Sequence, residues 1–210
     1  MNMTIRLDAR PVLGPVRDQG ARPTCLAHAT TTAHEHARGS TVPLSAEYLH
    51  HFASANDRSH EGVNFPSVSR ALSDPGQPTE TDCPYHPKEH PVSWTPPTGV
   101  TLYRRQSTAP RRTPDHVEAL LTAGHAPVLG ISTTDAFYAP APPWVLSSTG
   151  PIRGLHAVVA VGVGTTHITR CFLIRNSWGT TWADAGHAWI DDDFIVHHLR
   201  ELLVLTDEVT

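Results

Sequence analysis

The sequence has few cysteines, almost no lysine and no long apolar run. Its 210 residues include 16 basic and 20 acidic side chains, and Lys88 is the only lysine. The net charge of −4 provides no basic field for a nucleic acid, which excludes nucleic-acid binding proteins. No stretch approaches the roughly 18 consecutive apolar residues that predict a membrane span. Residues 1–7 lack the apolar segment and cleavage site of a secretory signal, which predicts synthesis in the cytoplasm without a signal peptide.

The hydrophobic periodicity differs between the two halves of the chain. Helical spacing and end signals occur at residues 25–38, from Ser45 onward, at 64–72 and at 114–123. Short apolar runs typical of strands occur at residues 128–131, 156–164, 171–176 and 186–190. The Pro-rich segment 74–114 is predicted to be mostly irregular. A chain of this length is expected to form one α+β domain over residues 1–210, with a core at about 10–205.

Four polar residues occur in local contexts suited to acyl transfer. Gln19 lies six residues before Cys25, and Cys25 begins a predicted helix, so a thiol nucleophile would stand beside an oxyanion donor. His156 occurs in Gly-Leu-His-Ala-Val and Asn176 in Arg-Asn-Ser-Trp-Gly. His156 follows Cys25 by 131 residues and Asn176 follows it by 151. These contexts resemble those of papain-like cysteine peptidases, in which His and Asn follow the cysteine by about 130–150 residues.

The resemblance implies a papain-like fold, in which a helical left subdomain and a β-rich right subdomain flank an active-site cleft. It also implies that Cys25 is the nucleophile, with a pKa lowered by the helix N-terminus and by an imidazolium at His156. His156 would act as general acid and base, and Asn176 would orient its ring. Gln19 would bind the oxyanion together with the Cys25 backbone N–H. Trp178 would cover the His156–Asn176 hydrogen bond.

The same resemblance implies a set of substrate-binding residues. Phe65, Pro66 and Ile131 would form the pocket for the P2 side chain, the second residue before the scissile bond. Leu155 and Trp178 complete the set. These residues predict an apolar pocket without a charge at its base, suited to a hydrophobic or small side chain.

Several positions depart from the family pattern. Leu26 replaces the usual tryptophan after the nucleophile, and His28 replaces an aromatic residue. Leu155 replaces the Asp or Asn that often precedes the histidine, and Val63-Asn64 replaces a glycine pair that lines the cleft. None of these is a catalytic group, so the peptidase interpretation stands, and a narrower, protein-specific cleft is expected.

The cysteines are expected to be reduced. Many secreted relatives carry a second cysteine just before the nucleophile, where this chain has Arg22-Pro23-Thr24. If Cys25 is the nucleophile, only one bridge, between Cys83 and Cys171, remains available, and we predict no disulfide. Cys83 lies in a segment, Thr81–Tyr85, that is similar to a Tyr-Pro-Tyr element of the family.

The 15 histidines raise the question of a metal site. Their clusters lie at residues 34–36, 50–51, 86–90 and 197–198. None has His-Glu-x-x-His or Cys/His zinc spacing. We therefore predict no metal, no cofactor, and histidines that are solvated at the surface.

These observations predict a monomeric cysteine endopeptidase that cleaves a protein or peptide through an acyl-enzyme intermediate. The alternatives are a deamidase or transglutaminase-like acyl transferase using the same triad, and a catalytically silent protein-binding module.

The short stretch before the nucleophile raises the question of how such an enzyme is controlled. Papain-like enzymes commonly carry a long N-terminal pro-segment, whereas 24 residues precede Cys25 here. We therefore hypothesise a bacterial effector or toxin, delivered into another cell and restrained by a dedicated inhibitor or immunity protein. A fragment of a larger delivered protein, or an enzyme with extreme substrate selectivity, would also fit this feature.

Overall fold

The computed structural model of the protein describes residues 3–55, 63–88 and 94–209. The helices are α1 (Cys25–Ala37), α2 (Ala46–Ala55), α3 (Phe65–Ser73), α4 (Pro114–Thr122), α5 (Asp135–Tyr138) and α6 (Asp192–His198). The strands are β1 (Thr4–Asp8), β2 (Arg105–Thr108), β3 (Val128–Thr133), β4 (Val145–Leu146), β5 (Gly154–Thr165), β6 (Arg170–Arg175), β7 (His187–Asp191) and β8 (Leu199–Glu208). In the described part of the chain, no helix is long and apolar enough to cross a membrane.

The strands form one sheet in the order β2-β8-β3-β5-β6-β7-β4, with β1 also paired to β5. The pairs are antiparallel except for β4 with β7. Strand β5 lies at the centre and pairs with β1, β3 and β6. In the β5–β6 register, Val159 lies opposite Arg175. This register brings His156 near the beginning of β5 toward Asn176, which directly follows β6.

The sheet is covered on both faces, and alternate residues of β5 enter two different cores. Ala157 and Val159 belong to the core that contains residues of α1, α2 and α3. Val158 and Ala160 belong to the core that contains residues of α4 and α6. This two-residue alternation is the expected behaviour of a strand buried on both faces. The helical first half and strand-rich second half agree with the predicted α+β class.

Local sequence determines where the helices of the first core begin. Helix α1 begins at Cys25, as predicted. At the start of α2, Ser45 Oγ accepts the backbone N–H of Tyr48 at 3.0 Å. Helix α3 has a capping box, in which Asn64 Oδ1 accepts the Ser67 N–H at 2.9 Å and Ser67 Oγ accepts the Asn64 N–H at 3.2 Å. The predicted helix starts are therefore confirmed, and the Cys25 thiol lies at a helix N-terminus.

Several elements lie outside the predicted pattern. The segment 74–114, predicted to be mostly irregular, contains β2, which pairs with β8. Strand β2 has no apolar residue in its sequence, so tertiary pairing rather than periodicity defines it. The flanking elements β1, α6 and β8 also have no counterpart in the sequence prediction. Strand β8 pairs with β3 and so brings the exposed residues Arg200 and Glu201 next to that strand.

The burial of two histidines contradicts the prediction that the clustered histidines are solvated at the surface. Solvated positions are expected for His34 and His198, but both are buried, with 0% and 5% of their surface exposed. His34 Nδ1 lies 2.8 Å from Gln77 Oε1, and His198 Nδ1 lies 2.9 Å from Ser132 Oγ. These polar partners allow imidazole rings inside the core. His90 lies outside the described residues. Among those described, no group of three or more His, Cys, Asp or Glu side chains is arranged to hold a metal ion.

Candidate active site

The predicted site residues lie along one cleft of about 620 Å³. Its walls come from the start of α1, the segment before α1, α3 and strands β3, β5 and β8. Three of the four predicted catalytic residues line it: Gln19, Cys25 and His156. So do all five predicted substrate-binding residues: Phe65, Pro66, Ile131, Leu155 and Trp178. The structure therefore brings the two predicted sets together around one cleft.

Cys25 is partly buried at the first position of α1. Burial raises the pKa of its thiol, while hydrogen bonds from the backbone N–H groups of Ala157, Leu26 and Cys25 itself oppose that rise. The net direction is upward, so the helix N-terminus alone does not lower the pKa of the thiol, and a lowering by an imidazolium at His156 stays a prediction. The physical reason is that a partly enclosed thiolate loses hydration, and the helix N-terminus only partly compensates.

His156 and Asn176 form a buried hydrogen-bonded pair. His156 Nε2 lies 2.7 Å from Asn176 Oδ1, and the same oxygen accepts the Ser177 backbone N–H at 2.8 Å. Because this oxygen is an acceptor in both contacts, Nε2 carries a proton and donates it. In the neutral imidazole, Nδ1 then has a free lone pair. That nitrogen is therefore able to accept a proton from a thiol.

The protonation of His156 depends on two opposing effects. Burial lowers the pKa of its imidazole to about 4, while the hydrogen bond to Asn176 acts in the opposite direction. Burial thus opposes a charge on His156 alone and on Cys25 alone. Proton transfer from the thiol to the imidazole creates both charges at once, and their mutual attraction offsets part of the desolvation. Each charge therefore stabilises the other, and the thiol and the imidazole titrate as one coupled pair.

Gln19 is held by contacts to both sides of the cleft. Its backbone N–H donates to Ser177 O at 2.8 Å, and its side-chain Oε1 accepts the Ser177 hydroxyl at 2.7 Å. Its Nε2 donates one hydrogen to Arg22 O at 2.8 Å. That bond uses one of the two Nε2 hydrogens. Ser177 and Arg22 are absent from the predicted site, because their roles depend on contacts made by the folded chain.

Aromatic side chains surround the His156 ring. Its centroid lies 4.7 Å from the Trp178 ring and 5.3 Å from the Phe137 ring. Tyr138 lies 5.6 Å from Trp178. Trp178 is therefore placed against His156, as predicted, whereas Phe137 and Tyr138 are additional. The sequence feature that could have identified Phe137 and Tyr138 is that they are two adjacent aromatic residues at the end of α5.

The cleft also contains charge, which corrects the predicted apolar pocket. Arg200 and Glu201 line it together with Phe65 and Ile131. An added Cβ at Gly130 would lie 2.7 Å from the Phe65 ring and 3.0 Å from Glu201 Cβ, so the Glu201 side chain begins close to that ring. The prediction of an uncharged base is wrong because it considered the α3, β3 and His156 segments and did not include β8.

The three cysteines are free, and Cys83 and Cys171 are buried. Burial raises the pKa of Cys171 to about 11, with further contributions from Asp191 and Asp192. Burial is likewise the largest effect on the raised pKa of Cys83. Both thiols are buried and neither lines the cleft, so neither competes with Cys25 as a nucleophile.

Comparison with known proteins assigns the chain to one family. A family model described as papain family cysteine protease matches residues 3–198, and the chain belongs to that family. It is 24% identical over 185 residues to a probable cysteine protease of Arabidopsis thaliana, RDL6, covering 85% of this chain and 52% of that protein. It is 28% identical over 182 residues to cathepsin K of Gallus gallus, covering 82% and 54%. This chain spans about half the length of these relatives.

Solved structures show the same fold. Xylellain, a cysteine protease from Xylella fastidiosa, matches with a TM-score of 0.78 at 20% identity, covering 98% of this chain and 87% of that chain. The Carica candamarcensis cysteine protease CMS1MS2, solved in complex with E-64, matches with a TM-score of 0.77 at 19% identity, covering 96% and 97%. The predicted papain-like α+β fold is confirmed.

Proposed function

We propose that this protein is a cysteine endopeptidase that hydrolyses peptide bonds through Cys25, His156 and Asn176. One observation carries the proposal: the 2.7 Å hydrogen bond between His156 and Asn176 leaves Nδ1 free, and the His156 ring shares its cleft with a thiol at a helix N-terminus. A nucleophile, a base and a group that orients the base are the elements needed for covalent catalysis.

In the proposed acylation step, His156 Nδ1 takes the Cys25 proton as Sγ attacks the substrate carbonyl carbon. The carbonyl oxygen becomes an oxyanion, which the Cys25 backbone N–H and the second Gln19 Nε2 hydrogen stabilise. The C–N bond then breaks, and the imidazolium returns its proton to the leaving amine. A thioester remains on Cys25. A water molecule activated by His156 hydrolyses that thioester and restores the thiol.

We propose a protein or peptide as the substrate. The cleft supports an extended segment, since Phe65, Pro66 and Ile131 provide apolar contacts on the α3 and β3 side. Leu155, at 78% exposure, offers a further apolar contact beside His156. Arg200 and Glu201 add charges of both signs, so the P2 preference is for an apolar side chain that also tolerates a polar end.

The test begins with labelling by the thiol-reactive epoxide E-64, measured by intact mass and peptide mapping. Stoichiometric modification at Cys25, abolished in Cys25→Ala, is expected. Unmodified wild type would leave the catalytically silent binding module as the better interpretation.

Product analysis then separates hydrolysis from the other acyl transfers. Incubation with a protein substrate and mapping of new N-termini should reveal cleavage that Cys25→Ala does not produce. A mass change at glutamine side chains without new termini would instead identify a deamidase or transglutaminase-like enzyme.

We also propose external control by a dedicated inhibitor or immunity protein, as for a bacterial effector or toxin delivered into another cell. The support is the size of the cleft, about 620 Å³, which would admit a segment of an inhibitor protein. Expression of wild type and Cys25→Ala in a bacterial host, with and without neighbouring reading frames, tests this. Growth inhibition by wild type that one neighbouring frame relieves is expected. Equal growth of wild type and mutant in a host that retains the substrate would contradict it.

A further inference from the structure

An ion pair is buried beneath the segment that carries Gln19. Arg22 Nη1 lies 2.5 Å from Glu47 Oε2, and Nη2 lies 2.9 Å from Glu47 Oε1. The Arg22 and Glu47 side chains are 9% and 2% exposed. Arg22 Nη1 also donates to the His86 carbonyl at 2.6 Å. Two parallel N–H···O bonds fix a guanidinium in both position and orientation, so the Arg22 side chain is locked.

The backbone of Arg22 is part of the proposed oxyanion site. Its carbonyl accepts the Gln19 Nε2 hydrogen at 2.8 Å. The direction of that bond determines where the other Nε2 hydrogen points, because both hydrogens lie in the plane of one amide. The position of the Arg22 carbonyl therefore controls the donor that is aimed at the substrate oxygen.

Tyr85 also contacts the segment that carries Gln19 and Arg22. Its hydroxyl donates to the Gln19 carbonyl at 2.8 Å and lies 2.9 Å from Thr24 Oγ1. The Arg22 guanidinium lies 5.1 Å from the centroid of the Tyr85 ring. Contacts from α2 and from the segment 85–86 thus converge on residues 19–24, which lack a continuous backbone ladder.

We infer that Arg22 and Glu47 form a positioning pair for oxyanion stabilisation: Glu47 locks the Arg22 side chain, and the Arg22 carbonyl orients the Gln19 amide. The inference rests on the proposed peptidase function. It follows from the general sensitivity of transition-state donors to small displacements, where a shift of about 1 Å can cost about 100-fold in rate. Glu47 does not line the cleft and Arg22 contributes to its wall, and in this scheme both act on the reaction through Gln19.

A double-mutant cycle between Glu47→Gln and Gln19→Ala tests the inference. The amide of Glu47→Gln keeps the size of the side chain but removes the charge that locks Arg22. In the wild-type background, we expect kcat to fall by about 10-fold to 100-fold with KM changed less than about threefold. In the Gln19→Ala background, the same change should alter kcat less than about threefold, because the donor it orients is already absent.

Two controls separate positioning from general stability. Glu118→Gln makes the same chemical change at an ion pair with Arg170 that does not line the cleft, and it should leave kcat unchanged. If Glu47→Gln does not fold, the double variant R22M/E47M removes both buried charges together and is used in the same cycle. For this double variant we expect the same loss of kcat as for Glu47→Gln. That loss should again depend on the presence of Gln19.

The outcomes are distinct. Equal losses of kcat in both Gln19 backgrounds, or no loss in either, would overturn the inference while wild-type turnover still supports the peptidase function. Absence of turnover in wild type, with no E-64 labelling, would overturn the proposed function and the inference with it.

Discussion

The two sides of the cleft hold their polar residues by different means. His156 belongs to β5 and lies opposite Ile131 in the β3–β5 ladder, and the Asn176 backbone N–H donates to Gly186 O at 3.0 Å. Gln19 lies in the segment 13–24, which joins the first strand to α1 and has only isolated backbone contacts, such as the Gln19 N–H to Ser177 O. The sheet side is therefore fixed by its backbone, and the segment side by long-range side-chain contacts.

Three arginines provide those contacts along the segment. Arg175 donates to the carbonyls of Gly14 and Pro15. Arg17 Nη2 lies 2.6 Å from Glu35 Oε1, and Arg22 pairs with Glu47. A ladder loses little when one side chain changes, whereas each of these sets of contacts depends on one arginine side chain. The difference indicates that the segment side is the more sensitive half of the proposed site.

The largest expected loss of activity comes from replacing Cys25 or His156, one residue from each side of the cleft. Cys25→Ala removes the nucleophile and His156→Ala removes its base, so each should reduce kcat to the background rate with the fold retained. Activity on a peptide amide and the far-ultraviolet circular dichroism spectrum check both. More than a few per cent of wild-type turnover in either variant would contradict the assignment of these residues.

Gln19→Ala should give the next largest effect. Loss of one oxyanion donor is expected to lower kcat by about 100-fold to 1,000-fold with little change in KM, because the donor acts mainly on the transition state. Steady-state kinetics on a peptide amide measure both constants. A large rise in KM at constant kcat would make Gln19 a ground-state binding residue instead.

The sequence predicts the sheet side better than the segment side, for a physical reason. The apolar runs at residues 156–164 and 171–176 predict two strands, and the register of these strands brings His156 and Asn176 together. Arg22, by contrast, has no local signal for Glu47, which lies on α2 and would be expected in solvent as a charged residue. Buried pairs of this kind depend on tertiary packing.

Tertiary pairing also accounts for the errors in the cleft and in the histidines. Glu201 reaches the cleft through the pairing of β8 with β3, which no local pattern predicts. His34 is buried because Gln77, 43 residues away, accepts its hydrogen bond. Phe65 and Ile131 line the cleft as predicted. Each lies in a short sequence motif that can be recognised without knowledge of the tertiary structure. Sequence alone did not supply the partners of buried polar groups such as Arg22 and His34.

The helical half should also contribute to acid sensitivity. Burial lowers the pKa of His34 to about 4, and those of His28 and His50 similarly. For His34 the folded protein then binds a proton more weakly than the unfolded chain, whose pKa is about 6.5. Its stabilising contribution is complete above pH 6.5 and is lost as the pH falls toward 4, by about 3 kcal/mol.

Urea unfolding at pH 7, 5.5 and 4 measures this loss. His34→Gln, which retains a polar group beside Gln77, should reduce the fall in the free energy of unfolding across that range. His36→Gln, at a partly exposed position of the same helix, serves as the control. Equal pH dependence in wild type and His34→Gln would show that the acid response arises elsewhere.

The smallest effect is expected on the sheet side, at Asn176. Asn176→Ala removes the acceptor for His156 Nε2 but leaves the ring held by the β3–β5 ladder and by the aromatic rings of Phe137 and Trp178. One neutral hydrogen bond contributes about 1 kcal/mol, so kcat/KM should fall by about fivefold. Because that bond raises the pKa of His156, the variant should also stabilise the imidazolium less.

The Ser177 backbone N–H donates to the same Asn176 oxygen, and the Ser177 hydroxyl donates to Gln19, so a second variant is needed to isolate the effect on the ring. Asn176→Asp retains an acceptor for both His156 and Ser177 and adds a negative charge, which should raise the pKa of His156. The pH profiles of kcat/KM for the three proteins provide the comparison. A larger loss of activity in Asn176→Ala than in Gln19→Ala would contradict the expectation that the segment side is the more sensitive side. The backbone ladder would then be insufficient to hold His156 in place.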